Sequence, residues 1–286
     1  MRGRSNWLLV LLILLPVAGA PAASGYTKSP ELRFDLYHDY LIVVRGSAGP
    51  VKGLNFLLDT GASPTILDRQ LARSLHLDEL PGLLAGVNGT VAAGKAIVPS
   101  LQLGPMRRDN LPVVVEDLSF FYKAIPVHID AVIGLDVIGQ SAFEIDYSAR
   151  EIHFGPIPSL KNALRLQMKR GLPLVDVQVD QTSAQLVLDT GASSLILFEP
   201  KTPGAASPLR ISAVQQSSHT MGEFAGKTLW LHSLRLGQAE FRRQPVVLVH
   251  SRPDTADDFA GLVSPALLGI TKIAIDLDQG VFAFSR

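Results

Sequence analysis

No cysteine occurs anywhere in the 286-residue chain. Disulfides, thiol catalysis and cysteine-ligated zinc are excluded together. Neither sign of charge is in excess: 26 Lys and Arg stand against 26 Asp and Glu. That balance leaves no electrostatic footprint for nucleic acid or an anionic membrane. Aromatic residues make up only 7%, which argues further against a base-stacking surface. The seven histidines are scattered and no HExxH occurs, so no metal and no cofactor is expected. His153 and His232 read as ordinary strand residues. A phosphate loop is nearly spelled by Gly89 to Lys95, but Ala96 follows where a hydroxyl is needed to hold magnesium. The similar stretch Gly222 to Thr228 is one residue short. Neither opens a helix, so a nucleotide is not an expected partner.

The residues that are present begin with an export pattern. Arg2 and Arg4 precede an apolar run from Trp7 to Leu15, Pro16 ends it, and Ala20-Pro21-Ala22 fits a small-residue cleavage site. Residues 1–22 are expected to be a signal peptide, and the mature protein periplasmic or secreted. The run is short for a bilayer span; an uncleaved membrane anchor is the alternative.

The chain also repeats itself. Phe56-Leu57-Leu58-Asp59-Thr60-Gly61-Ala62-Ser63 returns as Leu186-Val187-Leu188-Asp189-Thr190-Gly191-Ala192-Ser193, an offset of 130 between Asp59 and Asp189. Gly94-Lys95 returns as Gly226-Lys227, Ser100 to Gly104 as Ser233 to Gly237, Pro112 to Val115 as Pro245 to Leu248, and Ile145-Asp146 as Ile275-Asp276. Matches in unbroken order at so long a period predict two lobes, since solenoid repeats run to about 20–50 residues. The expected lobes are 31–157 and 170–286, with a linker at 158–169 after Gly155-Pro156-Ile157-Pro158.

Local patterns predict an all-β protein with minor helix. Leu41 to Val44 and Leu54 to Leu58 are β-prone runs around Gly46, Gly49 and Pro50, a hairpin pattern. Leu174 to Val179 and Gln185 to Leu188 repeat it. Phe143 to Phe154 and Ile273 to Phe284 each read as a hairpin closing a lobe. Leu67, Leu71 and Leu75 recur at helical spacing. Pro200, Pro203 and Pro208 at the same place predict that the second copy lacks this helix.

One Asp-Thr-Gly is a common turn composition. Two copies of Asp-Thr-Gly-Ala-Ser, each after an apolar strand, are a different matter. Paired carboxylates close together share a proton, so one is a general base while the other is a general acid. Gly61 and Gly191 would let the two backbones approach closely. Thr60 and Thr190 could bond across to the opposite loop, and Ser63 and Ser193 could donate to the carboxylates. Asp146 and Asp276 also follow apolar pairs but lack Thr-Gly, and read as hairpin-edge residues.

With these motifs both copies resemble retropepsin-like aspartic peptidases, and the duplicated chain resembles a two-lobed, pepsin-like arrangement. Ala62 and Ala192 fit the retropepsin version. The resemblance implies two homologous β-barrel lobes with a cleft between them, catalysis by Asp59 and Asp189, and hydrolysis of extended polypeptides. It implies a monomer acting as an intramolecular pseudo-dimer, favoured by effective concentration. A late hydrophobic-hydrophobic-Gly element is expected at Val132-Ile133-Gly134 and at Phe259-Ala260-Gly261. A flap is expected at 84–94, with Gly86, Asn88, Gly89 and Gly94 toward the substrate. A non-catalytic exported peptide-binding protein on the same fold is the other reading.

Overall fold

The computed structural model describes residues 31–86, 89–123, 125–199, 210–219, 222–249 and 259–286. The expected signal peptide, Asn88 and the prolines at 200, 203 and 208 lie outside these residues. Strand dominates. Among the described residues the α-helices are α1 (Arg69–Ser74) and α2 (Leu135–Ile138). The class is all-β, as the local patterns predict. No helix among the described residues is long and apolar enough to cross a membrane.

The first half runs β1 (Glu31–Tyr37), β2 (Leu41–Ala48), β3 (Val51–Leu58), β4 (Ile66–Asp68), β5 (Leu80–Gly86), β6 (Gly89–Leu103), β7 (Met106–Glu116), β8 (Ala131–Ile133), β9 (Phe143–Asp146) and β10 (Glu151–Phe154). The second half runs β11 (Asn162–Lys169), β12 (Leu172–Val179), β13 (Thr182–Leu188), β14 (Leu195–Phe198), β15 (Arg210–His219), β16 (Gly222–Leu236), β17 (Ala239–Val249), β18 (Gly261–Val263), β19 (Lys272–Asp276) and β20 (Val281–Ser285). Advancing each label by ten carries the pairings of the first half onto those of the second. Thus β2 pairs β3 and β12 pairs β13, both antiparallel. The parallel pairs β3–β8 and β4–β7 return as β13–β18 and β14–β17.

These strands are apolar because both faces are covered, as parallel pairs require. Leu41, Ile42, Val43 and Val44 are all buried. Along β3 and β8 the alternation of side chains feeds two cores. Leu58 and Ile133 join a large cluster that runs through both halves, whereas Leu57, Val132 and Ile66 join a smaller one confined to the first half. Leu174, Val187, Ile196 and Leu262 form the corresponding small core of the second half.

The halves meet in a six-stranded sheet of order β1-β10-β9-β19-β20-β11, joined by the antiparallel pair β9–β19. There Ile145 lies opposite Ile273 and Phe143 opposite Ile275. The 158–169 stretch, expected to be a linker, is mostly strand β11. Its Leu164 and Leu166 alternate with more exposed residues and pack on the large core. The glycine and prolines at 155–158 mark only its approach. The helix is also shorter than the leucine spacing predicts, because Leu67 belongs to β4. Asp68 caps α1 by accepting the Gln70 N–H at 2.8 Å, and its other oxygen accepts the Leu118 N–H at 3.1 Å.

Candidate active site

Each Asp-Thr-Gly-Ala-Ser loop leaves the buried end of an apolar strand, β3 or β13. The first residue of each is fixed by the parallel neighbour: Asp59 N–H donates to Ile133 O and Asp189 N–H to Val263 O, both at 3.0 Å. Gly61 N–H then turns back onto Asp59 Oδ1 at 2.8 Å, and Gly191 N–H onto Asp189 Oδ1 at 2.8 Å. The two aspartates are 3% and 2% exposed, so each carboxyl is held in place within the protein rather than in bulk water.

The loops grip one another through their threonines. Thr60 N–H donates to Thr190 Oγ1 and Thr190 N–H to Thr60 Oγ1, each at 3.1 Å. The hydroxyls in turn donate across: Thr60 to Leu188 O at 2.6 Å and Thr190 to Leu58 O at 3.2 Å. Both threonines are fully buried. With its proton given away and an N–H accepted, neither hydroxyl is left to act as a nucleophile. Gly61 has to be glycine here. A Cβ on it would stand 2.6 Å from Asp189 Cγ and 2.7 Å from Asp189 Oδ2, closer than real Cβ atoms come. The carboxyl of the second loop therefore lies directly against the backbone of the first.

Ser63 and Ser193 differ in surroundings. Ser63 is exposed, and its Oγ lies over Gly171, where a Cβ would collide with it. Ser193 is half-buried and hydrogen-bonded to the Tyr40 hydroxyl. Burial pushes the Tyr40 phenol above its ordinary range; the Ser193 bond pulls it down and the charge of Asp189 pushes it up again.

A brace that the sequence analysis does not find supports the first loop. Thr65 Oγ1 donates to Asp136 Oδ1 at 2.7 Å, Thr65 N–H donates to Asp136 Oδ2 at 3.0 Å, and Gly134 N–H donates to Thr65 Oγ1 at 3.1 Å. Gly134 is packed against the Ala62 carbonyl so tightly that a Cβ would overlap it. Val132-Ile133-Gly134 thus sits where it is expected. Its counterpart does not. Leu58 pairs Ile133 and Leu188 pairs Val263, so the matching tripeptide is Leu262-Val263-Ser264. Phe259-Ala260-Gly261 is three residues too early; the glycine drew the assignment, but strand pairing decides it.

The expected flap is the β5–β6 hairpin, closed by the pair Gly86–Gly89. Leu84 and Ala93 pack in the same small core as Ala62, next to the Asp59 loop. Gly94 is not near the tip. It lies at the base, paired with Pro81 and Val115 and covered by the Glu79 carboxylate. Asp146 is likewise part of the fold: it accepts the Ala149 N–H at 2.9 Å and pairs with Lys272 at 2.7 Å. Among the described residues no cluster of three or more His, Asp or Glu is arranged to hold a metal.

A search of curated proteins finds no match to this chain. Residues 44–137, which carry β3, the Asp59 loop, the hairpin and the Val132-Ile133-Gly134 element, match the family described as aspartyl protease, a match consistent with a retropepsin-like aspartic peptidase.

Proposed function

We propose that the protein is an aspartic endopeptidase whose two halves are homologous retropepsin-like lobes, 31–157 and 170–286, with Asp59 and Asp189 as the catalytic pair in the cleft between them. The reading is carried by one observation, the reciprocal exchange of hydrogen bonds between Thr60 and Thr190. Two loops tied in this way deliver an aspartate each to one place. The family match covers the first loop; the exchange extends the reading to the second.

The chemistry follows from sharing a proton. Two neighbouring carboxylates in one buried site resist ionising together. The ionised one accepts a proton from a water as its oxygen attacks the peptide carbonyl carbon. The protonated one donates to the carbonyl oxygen, giving a tetrahedral diol. Collapse of the diol breaks the C–N bond, with a proton passing to the leaving nitrogen. Each aspartate has Oδ1 tied by a glycine N–H. That fixes the carboxyl orientation in advance and limits what must reorganise in the transition state. The residues need no metal or cofactor for this. The β5–β6 hairpin, whose base shares a core with Ala62, is proposed to cover the substrate. The export pattern at 1–22 supports action outside the cytoplasm on an extended polypeptide, by a monomer.

Cleavage of a diverse peptide library by the purified mature protein, with Asp59→Asn as control, tests the proposal. Cuts made by the wild type and absent with Asp59→Asn are expected. Peptide binding without any cleavage by the wild type would favour a non-catalytic binding protein instead.

A further inference from the structure

The β5–β6 hairpin leaves the first half at a definite point. At Gly94 and Lys95 strand β6 is flanked on both sides: Gly94 pairs Pro81 and Val115, and Lys95 pairs Leu80 and Val114. From Ala93 back to Gly89 it pairs β5 alone. A two-stranded ribbon has little stability of its own, so what holds this junction sets how the hairpin stands. Leu84 and Ala93 tie the ribbon to the small core. Charged side chains cover the junction itself. A Cβ on Gly94 would collide with the Glu79 carboxylate, and one on Gly82 would stand 2.7 Å from Lys95 Cγ.

Glu79 is held in turn by Arg69. Arg69 Nη1 lies 3.3 Å from Glu79 Oε1, and Arg69 Nη2 lies 3.9 Å from Glu116 Oε1. Glu116 Oε1 also accepts the Asp117 N–H at 2.9 Å. The place of Arg69 follows from the Asp59 loop. That loop runs into β4, whose last residue, Asp68, pairs Glu116 in the parallel register of β4 and β7 and caps α1. Arg69 is the first residue of that helix. One guanidinium thus joins the strand leaving the Asp59 loop, the end of β7 and the segment entering β5. The second half does not repeat this. Phe198 pairs Val249 as Asp68 pairs Glu116, and Lys227 pairs Val214 as Lys95 pairs Leu80. By these registers Arg69, Glu79 and Glu116 correspond to Glu199, Ala213 and Val249, with no basic residue among them.

We propose that Arg69 is a positioning residue for substrate binding: it holds Glu79 across Gly94 and so fixes the angle at which the β5–β6 hairpin stands over the Asp59 loop. The inference rests on the peptidase reading, with this hairpin as the cover of the substrate. The hinge is charged and partly exposed, with Arg69 and Glu79 side chains each 33% exposed. Replacing Arg69 by glutamine therefore removes the charge without opening a buried cavity.

Arg69→Gln is predicted to raise KM about threefold to fivefold with kcat within about twofold, the size expected for a partly exposed ion pair. With an uncharged peptide, salt at about 0.5 M should raise the wild-type KM and leave that of Arg69→Gln unchanged. If Arg69 acts through Glu79, the double variant Arg69→Gln/Glu79→Gln should have a KM no higher than Arg69→Gln alone. Arg107→Gln breaks the Arg107–Asp109 pair at the other end of β7 and should leave KM as in the wild type. A wild-type KM in Arg69→Gln overturns the proposal. A second measurement does not need activity. In Arg69→Gln, hydrogen exchange of the amides in 80–86 and 89–95 should be about threefold to fivefold faster, with β2, β3 and the β15–β16 pair unchanged. Equal exchange in the two proteins overturns the proposal even if the wild type proves inactive. Faster exchange throughout the chain would mean a general loss of stability and overturns it as well. Inactivity of the wild type itself would instead count against the peptidase reading.

Discussion

The two halves use the same pairings but support their aspartate loops by different means. What they share is what each loop takes from the other: the aspartate, the threonine exchange and the glycine. What differs is what each loop takes from its own half. Ile66 pairs Val132 and Ile196 pairs Leu262, so Thr65 corresponds to Leu195. By the β8 and β18 registers Gly134 corresponds to Ser264 and Asp136 to Ala266. The first half thus braces its loop with a polar triad. The second has Leu195 buried in the large core, Ala266 packed beside it, and Ser264 Oγ buried with no hydrogen-bond partner among the described residues. Residues at the seam between the halves answer to both of them. Residues behind each loop answer only to local packing, and several solutions serve.

The largest stability effect is expected at the seam, where it should be equal from either side. Thr60→Val and Thr190→Val each remove two buried hydrogen bonds and strand an opposite N–H, at about 3 kcal/mol apiece. Chemical denaturation of the two variants measures this; a cost on one side only would break the shared-seam account. Next, exchanging the braces should fail in one direction. Gly134→Ser puts a Cβ into the Ala62 carbonyl and should cost about 2–3 kcal/mol, whereas Ser264→Gly should cost about 1 kcal/mol or less. Thermal unfolding of both decides whether the braces are truly different.

How much of this was legible in the sequence follows the same division. The seam was legible, because Asp59 to Ser63 and Asp189 to Ser193 are contiguous and repeated. The buried strands were legible, because both faces of β2, β3 and β13 carry apolar residues. The brace was not: Thr65 and Asp136 are 71 residues apart, and nothing in either neighbourhood names the other. Strand β11 was hidden behind the glycine and prolines that precede it. Ser264 was missed because a glycine three residues earlier satisfied the pattern, while the register of β18 against β13 exists only in the folded chain. Tyr40 lies in a turn with no repeat partner of its own type.

Two smaller effects sharpen the comparison. Ser264→Ala removes a buried hydroxyl that bonds to nothing among the described residues, and should be neutral or stabilising by about 1 kcal/mol; the corresponding loss at Thr65→Val should be destabilising by about 2 kcal/mol. The least is expected at the joining sheet. Burial pushes the Asp146 carboxyl up, but the Lys272 bond and the Ala149 N–H outweigh it and leave it below its ordinary range. The same bond raises Lys272 despite the opposing effect of burial. A depressed carboxylate stabilises the fold above its unfolded value of about 3.9 and ceases to do so as pH falls through the folded value. Lys272 is 40% exposed, so screening limits the pair to about 0.5–1 kcal/mol. Asp146→Asn should therefore lower the melting temperature at neutral pH and leave it unchanged below the folded value.

The central claim is that one aspartate from each half forms a single catalytic unit. Its most direct test is the rate of peptide cleavage across pH for the wild type, Asp59→Asn, Asp189→Asn and the double variant. The account predicts a bell-shaped wild-type profile. It predicts near-complete loss of turnover in each single variant, and a double variant hardly slower than either, because groups acting as one unit are not additive. A folded Asp189→Asn protein that still cut peptides at close to the wild-type rate would contradict it.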